Sequence, residues 1–336
     1  MRRLFFLLTI QLLALSASGR LSPVAYRPVI DSGIAFSLSQ QYTECLRLFG
    51  RHSIGEPACV LSPFYRLMTY EAMMIDYESV EWEPVYDSLS RQCETLLRAE
   101  IARDKNDAWA HYFLGTLSVT RAAHALRFSH YLNFTAEVVK GIQLLKKAAA
   151  LDSTLADACL YLGLYQYARA ELFSWLPLLG DEKNEAVEEI EKAAAHASFS
   201  REVAIQVLVG IYGRNGEFGR AAALAAAFKT RYPDNRAIYW LLGNAYLSKK
   251  EYREAKKEFL ALRPLLRGIP RQYPYNDVSL DATLARIHFE LGETDSCIAR
   301  CNSVLARSGD DKRIRELQTM TERLRKKAER KKRKGP

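Results

Sequence analysis

The chain has 336 residues, 49% hydrophobic and 26% charged, which is the balance of a folded protein rather than a disordered one. The formal net charge of +9 is uneven, because residues 323–334 carry +8 and residues 1–19 carry +2, which leaves −1 for the rest. Six cysteines in a chain of this length are too few for a disulfide-rich scaffold.

Residues 1–19 have the pattern of an export signal. Arg2 and Arg3 form a basic start, residues 4–15 are mostly apolar, and small residues precede an expected cleavage near Gly19. The apolar run is too short to span a bilayer. The residue directly after the expected cleavage position is not a cysteine, which a lipoprotein anchor would require. We therefore expect an exported chain, in the periplasm or associated with the outer membrane, without a lipoprotein anchor.

Helical periodicity runs through the first half of the chain. The first candidate pair of helices covers "IDSGIAFSLSQQYTECLRLFGRH", with Gly33 on one helix and Phe49 on the next. The two units that follow contain "SPFYRLMTYEAMMIDYE" and "DAWAHYFLG". Each exceeds the usual repeat length by about fourteen residues, which predicts elongated helices. The acidic stretch at residues 76–87 is interpreted as a solvated segment between helices.

An apolar insert, "ELFSWLPLLGDEKN" at residues 171–184, interrupts the fourth pair. Its proline and glycine break a helix, so we interpret it as an elaborated turn. Its large side chains could dock on a partner or a membrane, or the loop could fold back and fill the inner curve of the array. The candidate docking residues are Phe173, Trp175, Leu176 and Leu179.

The clearest repeat is "YWLLGNAYLSKKEYREAKKEF", at residues 239–259. It follows the patterns W-x2-L-G-x2-Y and A-x3-F, with tyrosine in the place of tryptophan. Small residues at Gly243 and Ala255 allow the two helices to approach closely. The matching residues are Tyr239, Leu242, Gly243, Tyr246, Ala255 and Phe259.

This pattern resembles the tetratricopeptide repeat (TPR), a helix-turn-helix unit. The resemblance implies an all-α, right-handed superhelical solenoid of about seven TPR-like helix pairs, some with elongated helices. We expect the solenoid at residues 28–308, a capping helix at 309–322 and a basic tail at 323–336. The order "DAWAHYFLG", "WLPLLGDE", "YPDNRAIYWLLGNAY" is similar to a group of bacterial exported TPR proteins. That group is distantly similar to eukaryotic Iml-type membrane-associated TPR proteins, and the resemblance implies a fold and a location rather than a reaction.

In TPR arrays the first helix of each pair lines a concave groove. Aromatic, amide and guanidinium groups at these positions suit an extended peptide or a helix of another protein. The same aromatics are also consistent with ordinary packing between repeats. Trp240 stands where a carboxylate-clamping lysine is expected, so no such clamp is predicted. The predicted partner-binding residues are Trp109, Tyr112, Tyr167, Gln206, Arg214, Trp240, Asn244 and Arg286.

Neither the cysteines nor the histidines indicate a chemical site. Cys45, Cys93 and Cys297 occupy small-residue positions of second helices and are expected to be buried thiols, with a Cys45–Cys59 disulfide as the alternative. The six histidines lack metal-binding spacing, and no catalytic or nucleotide-binding motif occurs. We predict no enzyme, no cofactor and no metal.

The basic tail has the chemistry to meet an anionic membrane surface, or it is a solvated end. Its lack of interleaved aromatics and the export signal argue against a nucleic-acid partner. We therefore predict a non-catalytic scaffold of the cell envelope that binds a protein or peptide in the groove. The alternative is a peripheral membrane-associated component that docks through the loop Phe173–Leu179 and the basic tail.

Overall fold

The computed structural model describes residues 21–51, 60–127, 134–172, 180–270, 272–307 and 311–333. Within these ranges the chain is all-α, with 15 α-helices and no strand. The first eight helices are α1 (Arg27–Leu38), α2 (Tyr42–Arg51), α3 (Leu61–Tyr77), α4 (Glu83–Arg103), α5 (Ala108–Arg127), α6 (Phe134–Leu151), α7 (Asp157–Leu172) and α8 (Gly180–His196). The others are α9 (Arg201–Asn215), α10 (Phe218–Arg231), α11 (Arg236–Ser248), α12 (Tyr252–Leu262), α13 (Tyr275–Glu290), α14 (Thr294–Leu305) and α15 (Lys312–Arg333).

The described helices α1–α14 form seven consecutive pairs, and α15 follows the last pair. This confirms the predicted all-α architecture of helix pairs. The elongation is confirmed as well, because α3 to α6 have 17, 21, 20 and 18 residues, whereas α11 and α12 have 13 and 11.

The chain divides into two compact units. Unit 1 holds the described residues within Met1–Ser37, Gln41–Ala72 and Val80–Ala204, and unit 2 holds those within Leu38–Gln40, Met73–Ser79 and Ile205–Pro336. Unit 2 therefore contains α10 to α15 and most of α9, together with the last residues of α1 and α3.

A single type of turn follows five of the first helices in the described part of the chain. One residue adopts a left-handed conformation, and the N–H of the next residue bonds to a carbonyl five positions earlier, as from Glu251 to Tyr246 at 2.9 Å. This is a Schellman motif, which satisfies carbonyls that the helix end leaves without a partner. The left-handed residues are Gln40, Glu78, Gly216, Lys250 and Gly292.

In four pairs of the described chain, close packing depends on a glycine of the first helix. A Cβ placed on Gly243 would lie 2.8 Å from two ring atoms of Phe259 on α12. In the third pair, a Cβ on Gly115 would lie 3.0 Å from the carbonyl oxygen of Gly141. The large-into-small packing that the sequence predicts at Gly243 therefore holds the two helices of that pair together.

Ion pairs connect the long helices α4, α5 and α6 of unit 1. The Glu94 carboxylate accepts hydrogen bonds from Arg121 on α5, from Lys140 on α6 at 2.9 Å and from Arg98 on its own helix. Burial would raise the pKa of Glu94, but these cations outweigh burial and lower the pKa to about 2.

At the C-terminal end, helix crosses the expected boundary between the capping helix at 309–322 and the basic tail at 323–336. A single helix of 22 residues, α15, runs through residue 322 to Arg333. Its apolar side is buried at Ile314 and Ala328, and Glu322 pairs with Arg325 at 3.0 Å one turn away. Tertiary packing and pairs at helical spacing thus extend the helix into the basic region.

The five described cysteines are free thiols, four of them buried. Cys59 and the expected export signal at residues 1–19 lie outside the described residues. Among the described helices, none is both long and apolar enough to cross a membrane.

Candidate protein-binding surface

The first helices of successive pairs in unit 2 lie side by side. The chain reverses at each turn, so α9 and α11 run in the same direction. They touch closely, since a Cβ on Gly213 would lie 2.3 Å from the Cβ of Ala245. Each step along a helix turns the side-chain direction by about 100°. In two parallel helices that touch, the residue after the contact on one helix and the residue before the contact on the other therefore project to the same side of the pair. Arg214 and Asn244 are these residues, and both are exposed.

Arg286 occupies the equivalent position on α13. Asn244 directly follows Gly243, which faces α12, and Arg286 directly follows Ala285, which packs against Cys297 and Cys301 of α14. Arg286 is exposed, as Asn244 is. We call the surface formed by Arg214, Asn244 and Arg286, together with Gln206 and Trp240, the first-helix face of unit 2.

The two other residues of this face are half-buried. Trp240 packs edge-on against Phe259, with ring centroids 5.4 Å apart, and lies against the hydrophobic cluster of α12 and α13. The Trp240 ring therefore contributes to packing within its own pair and against α13 of the next pair. The exposed polar groups of the face are the ones open to a partner.

The three predicted groove residues of unit 1 are placed differently. Tyr112 and Tyr167 are 4% and 5% exposed, so their rings belong to the core rather than to a binding surface. Trp109 is half-buried and packs edge-on against Tyr112 and Phe199, with centroids 5.5 Å apart in both cases. Burial also raises the pKa of Tyr112 well above its usual value. We therefore remove Tyr112 and Tyr167 from the candidate site.

The acidic stretch at residues 76–87 is not simply solvated, contrary to the sequence-based interpretation. Asp76 forms a bidentate ion pair with Arg236, with Nε to Oδ1 at 2.9 Å. The two side chains are only 11% and 7% exposed. Arg236 is the first residue of α11, and it also donates to the carbonyl oxygen of Leu265 at 3.2 Å. This pair fixes the beginning of α11 within unit 2.

The starts of α13 and α15 are held by the same segment of unit 2. Asn276 donates to the carbonyl oxygen of Asp76 at 2.6 Å, and Arg313 donates to the carbonyl oxygen of Glu78 at 2.8 Å. The ring of Tyr77 stacks on Tyr273 at 5.3 Å. The carboxylate of Asp76 and the carbonyl oxygens of Asp76 and Glu78, at the C-terminal end of α3, thus lie near the N-termini of other helices. The backbone dipoles at a helix N-terminus favour negative charge. The contacts to α11 and α13 position two of the three helices that carry the first-helix face.

Sequence reasoning missed these positioning residues, because Asp76 and Arg236 are 160 positions apart. The only local signal is Asn235, whose side-chain oxygen caps α11 by accepting from the N–H of Ile238. That signal indicates where a helix begins but not what its first arginine contacts.

A buried histidine links three helices of unit 1. His124 on α5 is 6% exposed, with Nδ1 2.8 Å from a carboxylate oxygen of Glu71 and Nε2 3.5 Å from one of Glu83. The ring of Tyr86 stacks on the imidazole at 4.5 Å. Burial alone would lower the pKa of His124, but the hydrogen bonds and charges of Glu71 and Glu83 outweigh burial and raise it.

Because the pKa of His124 is raised on folding, its protonated form stabilises the folded state. That contribution is complete below the unfolded pKa of about 6.5 and is lost as pH rises through the folded pKa. We expect the urea midpoint of unfolding to fall as pH increases above about 6.5 and His124→Gln to flatten this fall. The exposed control His196→Gln should keep the slope of the parent protein. An unchanged slope in His124→Gln would contradict this role.

Phe173, Trp175, Leu176 and Leu179 lie outside the described residues, so the docking loop is not part of the site described here. Within the described part of the chain, no group of three or more His, Cys, Asp or Glu side chains is arranged to hold a metal ion.

Consecutive helix pairs, with large side chains packed against small ones, define a tetratricopeptide-repeat fold. No protein-family model matches the sequence, and no curated protein matches it. The fold is similar to the crystal structure of PilW, a widely conserved type IV pilus biogenesis factor. The TM-score is 0.51 at 13% identity, and the match covers 71% of this chain and 93% of that one.

Two other solved structures show more distant likenesses. The C-terminal part of a TPR repeat-containing protein from Cytophaga hutchinsonii has a TM-score of 0.43 at 13% identity, covering 86% of this chain and 98% of that one. Yeast Tom70 has a TM-score of 0.37 at 10% identity, covering 89% of this chain and 81% of that one. At 13% identity, the likeness to PilW shows the fold alone.

Proposed function

We propose that this protein is a binding scaffold of the cell envelope, and that the first-helix face of unit 2 captures a protein or peptide partner. The observation that carries the proposal is the exposure of Arg214, Asn244 and Arg286 at successive first helices of a packed array. Two guanidinium groups and an amide supply donors for carboxylates and backbone carbonyls of an extended ligand.

The face is preformed, which favours binding. The helices α11 and α13 are fixed at their N-termini by Asp76, so Asn244 and Arg286 project from ordered backbone. A rigid receptor loses little conformational entropy when a partner binds. The export-type N-terminus supports an envelope location for this activity.

The test uses a triple variant, Arg214→Ala, Asn244→Ala and Arg286→Ala, and measures retention of partners from envelope extract on the immobilised protein. All three side chains are exposed, so the fold should persist. Trp240 is left intact because it packs against Phe259. We expect retention to weaken about tenfold or more, since a few interface residues carry most of the binding energy.

A matched control removes two cations and one amide from exposed positions of second helices, by Arg253→Ala, Lys257→Ala and Asn302→Ala. This control should retain partners as the parent protein does. Equal retention by the two triple variants would refute the first-helix face as the binding surface.

A further inference from the structure

Helix α15 carries a row of cations on one side. Its other side packs through Ile314 and Ala328 against α13 and α14. Arg323, Lys327 and Arg330 are spaced by four and three residues, so they share one face of the helix, and all three are exposed. Among the described residues, none of the three has a carboxylate within ion-pair distance. We call these three residues the basic row.

The acidic residues of the same helix region leave the basic row uncompensated. Glu322 pairs with Arg325 at 3.0 Å and with Lys326 at 3.4 Å. Glu329 also pairs with Arg325, at 3.8 Å. These carboxylates therefore serve cations outside the row, and the row keeps its full positive charge.

The basic row is held on an ordered helix rather than on a frayed tail. Lys332 pairs with Asp295 of α14 at 2.6 Å, and Arg325 donates to Asn302 at 3.3 Å. From Arg323 to Arg330 the helix rises about 10 Å. Three cations at fixed, short spacing attract anions more strongly than the nearly neutral remainder of the chain does.

We propose that the basic row of α15 docks on an anionic lipid surface. Among the described residues next to the row, Met320 is the only large apolar side chain that is exposed, at 66%, whereas a specific protein interface needs a desolvated aromatic or apolar anchor. Mobile phosphate headgroups can arrange themselves around each cation without such an anchor. This surface contains none of the residues of the first-helix face and adds membrane attachment to the scaffold.

Co-sedimentation of the purified protein with vesicles tests the proposal. The vesicles contain 30% phosphatidylglycerol in phosphatidylcholine, with pure phosphatidylcholine as the neutral comparison. We expect binding only to the anionic vesicles, and a loss of binding as salt rises toward 0.5 M. The variant Arg323→Gln, Lys327→Gln, Arg330→Gln should bind about 100-fold more weakly, because each cation near an anionic surface contributes about a fivefold gain.

The matched control, Arg91→Gln, Lys146→Gln and Lys147→Gln, removes the same charge from exposed positions of α4 and α6. It should bind within about twofold of the parent protein, and circular dichroism should show the parent helix content in both variants. Failure of the parent to bind anionic vesicles, or equal weakening by both triple variants, would overturn the proposal. Binding to an acidic polypeptide without binding to vesicles would also overturn it, and would assign the row to a protein partner.

Discussion

Replacing Asp76 by alanine is expected to lower the free energy of unfolding by about 3–5 kcal/mol. Asp76 and Arg236 form a bidentate pair with side chains only 11% and 7% exposed. The alanine variant takes away the bidentate carboxylate partner of a buried guanidinium, and breaking a buried pair in this way typically has this effect. Urea unfolding followed by far-ultraviolet circular dichroism measures the change.

The control is Asp31→Ala, which removes a carboxylate that is 53% exposed and 3.7 Å from Arg27. Its effect should stay within about 0.5 kcal/mol, as for most surface ion pairs. The double variant Asp76→Leu with Arg236→Met should recover much of the lost stability, because neither charge is then left buried. A loss below about 1 kcal/mol in Asp76→Ala would show that Asp76 does not fix the start of α11.

The second large effect is expected at Gly163 on α7. A Cβ at this position would lie 2.8 Å from the carbonyl oxygen of Ala186 and 2.8 Å from a side-chain carbon of Ile190, both on α8. The carbonyl belongs to the backbone, so the clash cannot be relieved by a rotamer change. We expect Gly163→Val to lower the free energy of unfolding by about 3 kcal/mol, the upper range for overpacking. Hydrogen exchange of α7 and α8 should increase.

Gly219 on α10 provides the same substitution without the close approach, since a Cβ there would have no neighbour within 4 Å. Gly219→Val should change stability by no more than about 0.5 kcal/mol. Equal stability of the two valine variants would mean that α7 and α8 do not pack as closely as the structure shows.

The repeat architecture could be predicted from the sequence because its signals are local. Leu242, Gly243, Ala255 and Phe259 fall at helical spacing within one repeat, and all four are buried in the structure. A small residue opposite a large one specifies a helix pair without information from distant parts of the chain. The elongated helices could be predicted because two repeat units exceed the usual repeat length by about fourteen residues.

The candidate site could be predicted only in part. Arg214, Asn244 and Arg286 are exposed in unit 2, but the same repeat register places Tyr112 in the core of unit 1. Helix α5 buries side chains on most of its circumference, so its pattern has no polar stripe that would distinguish a surface from a packing contact. The partner of Asp76 depends on tertiary packing, which no local pattern encodes.

The basic end shows a different limit of sequence reasoning. A run of like charges is typical of a solvated tail. Lysine, arginine, glutamate and alanine are also strong helix formers. Packing of Ala328 against α13 and α14 favours a helix over a solvated tail, and the helix extends to Arg333.

The most direct test of the central claim places a photo-crosslinking amino acid at Asn244 on the first-helix face, or at Lys257 on the second helix of the same pair. Both positions are exposed. With envelope extract, a protein adduct should form through position 244, should disappear when Arg286→Ala is added, and should not form through position 257. Adducts of equal yield at both positions, or none through position 244, would contradict a scaffold that binds through its first helices.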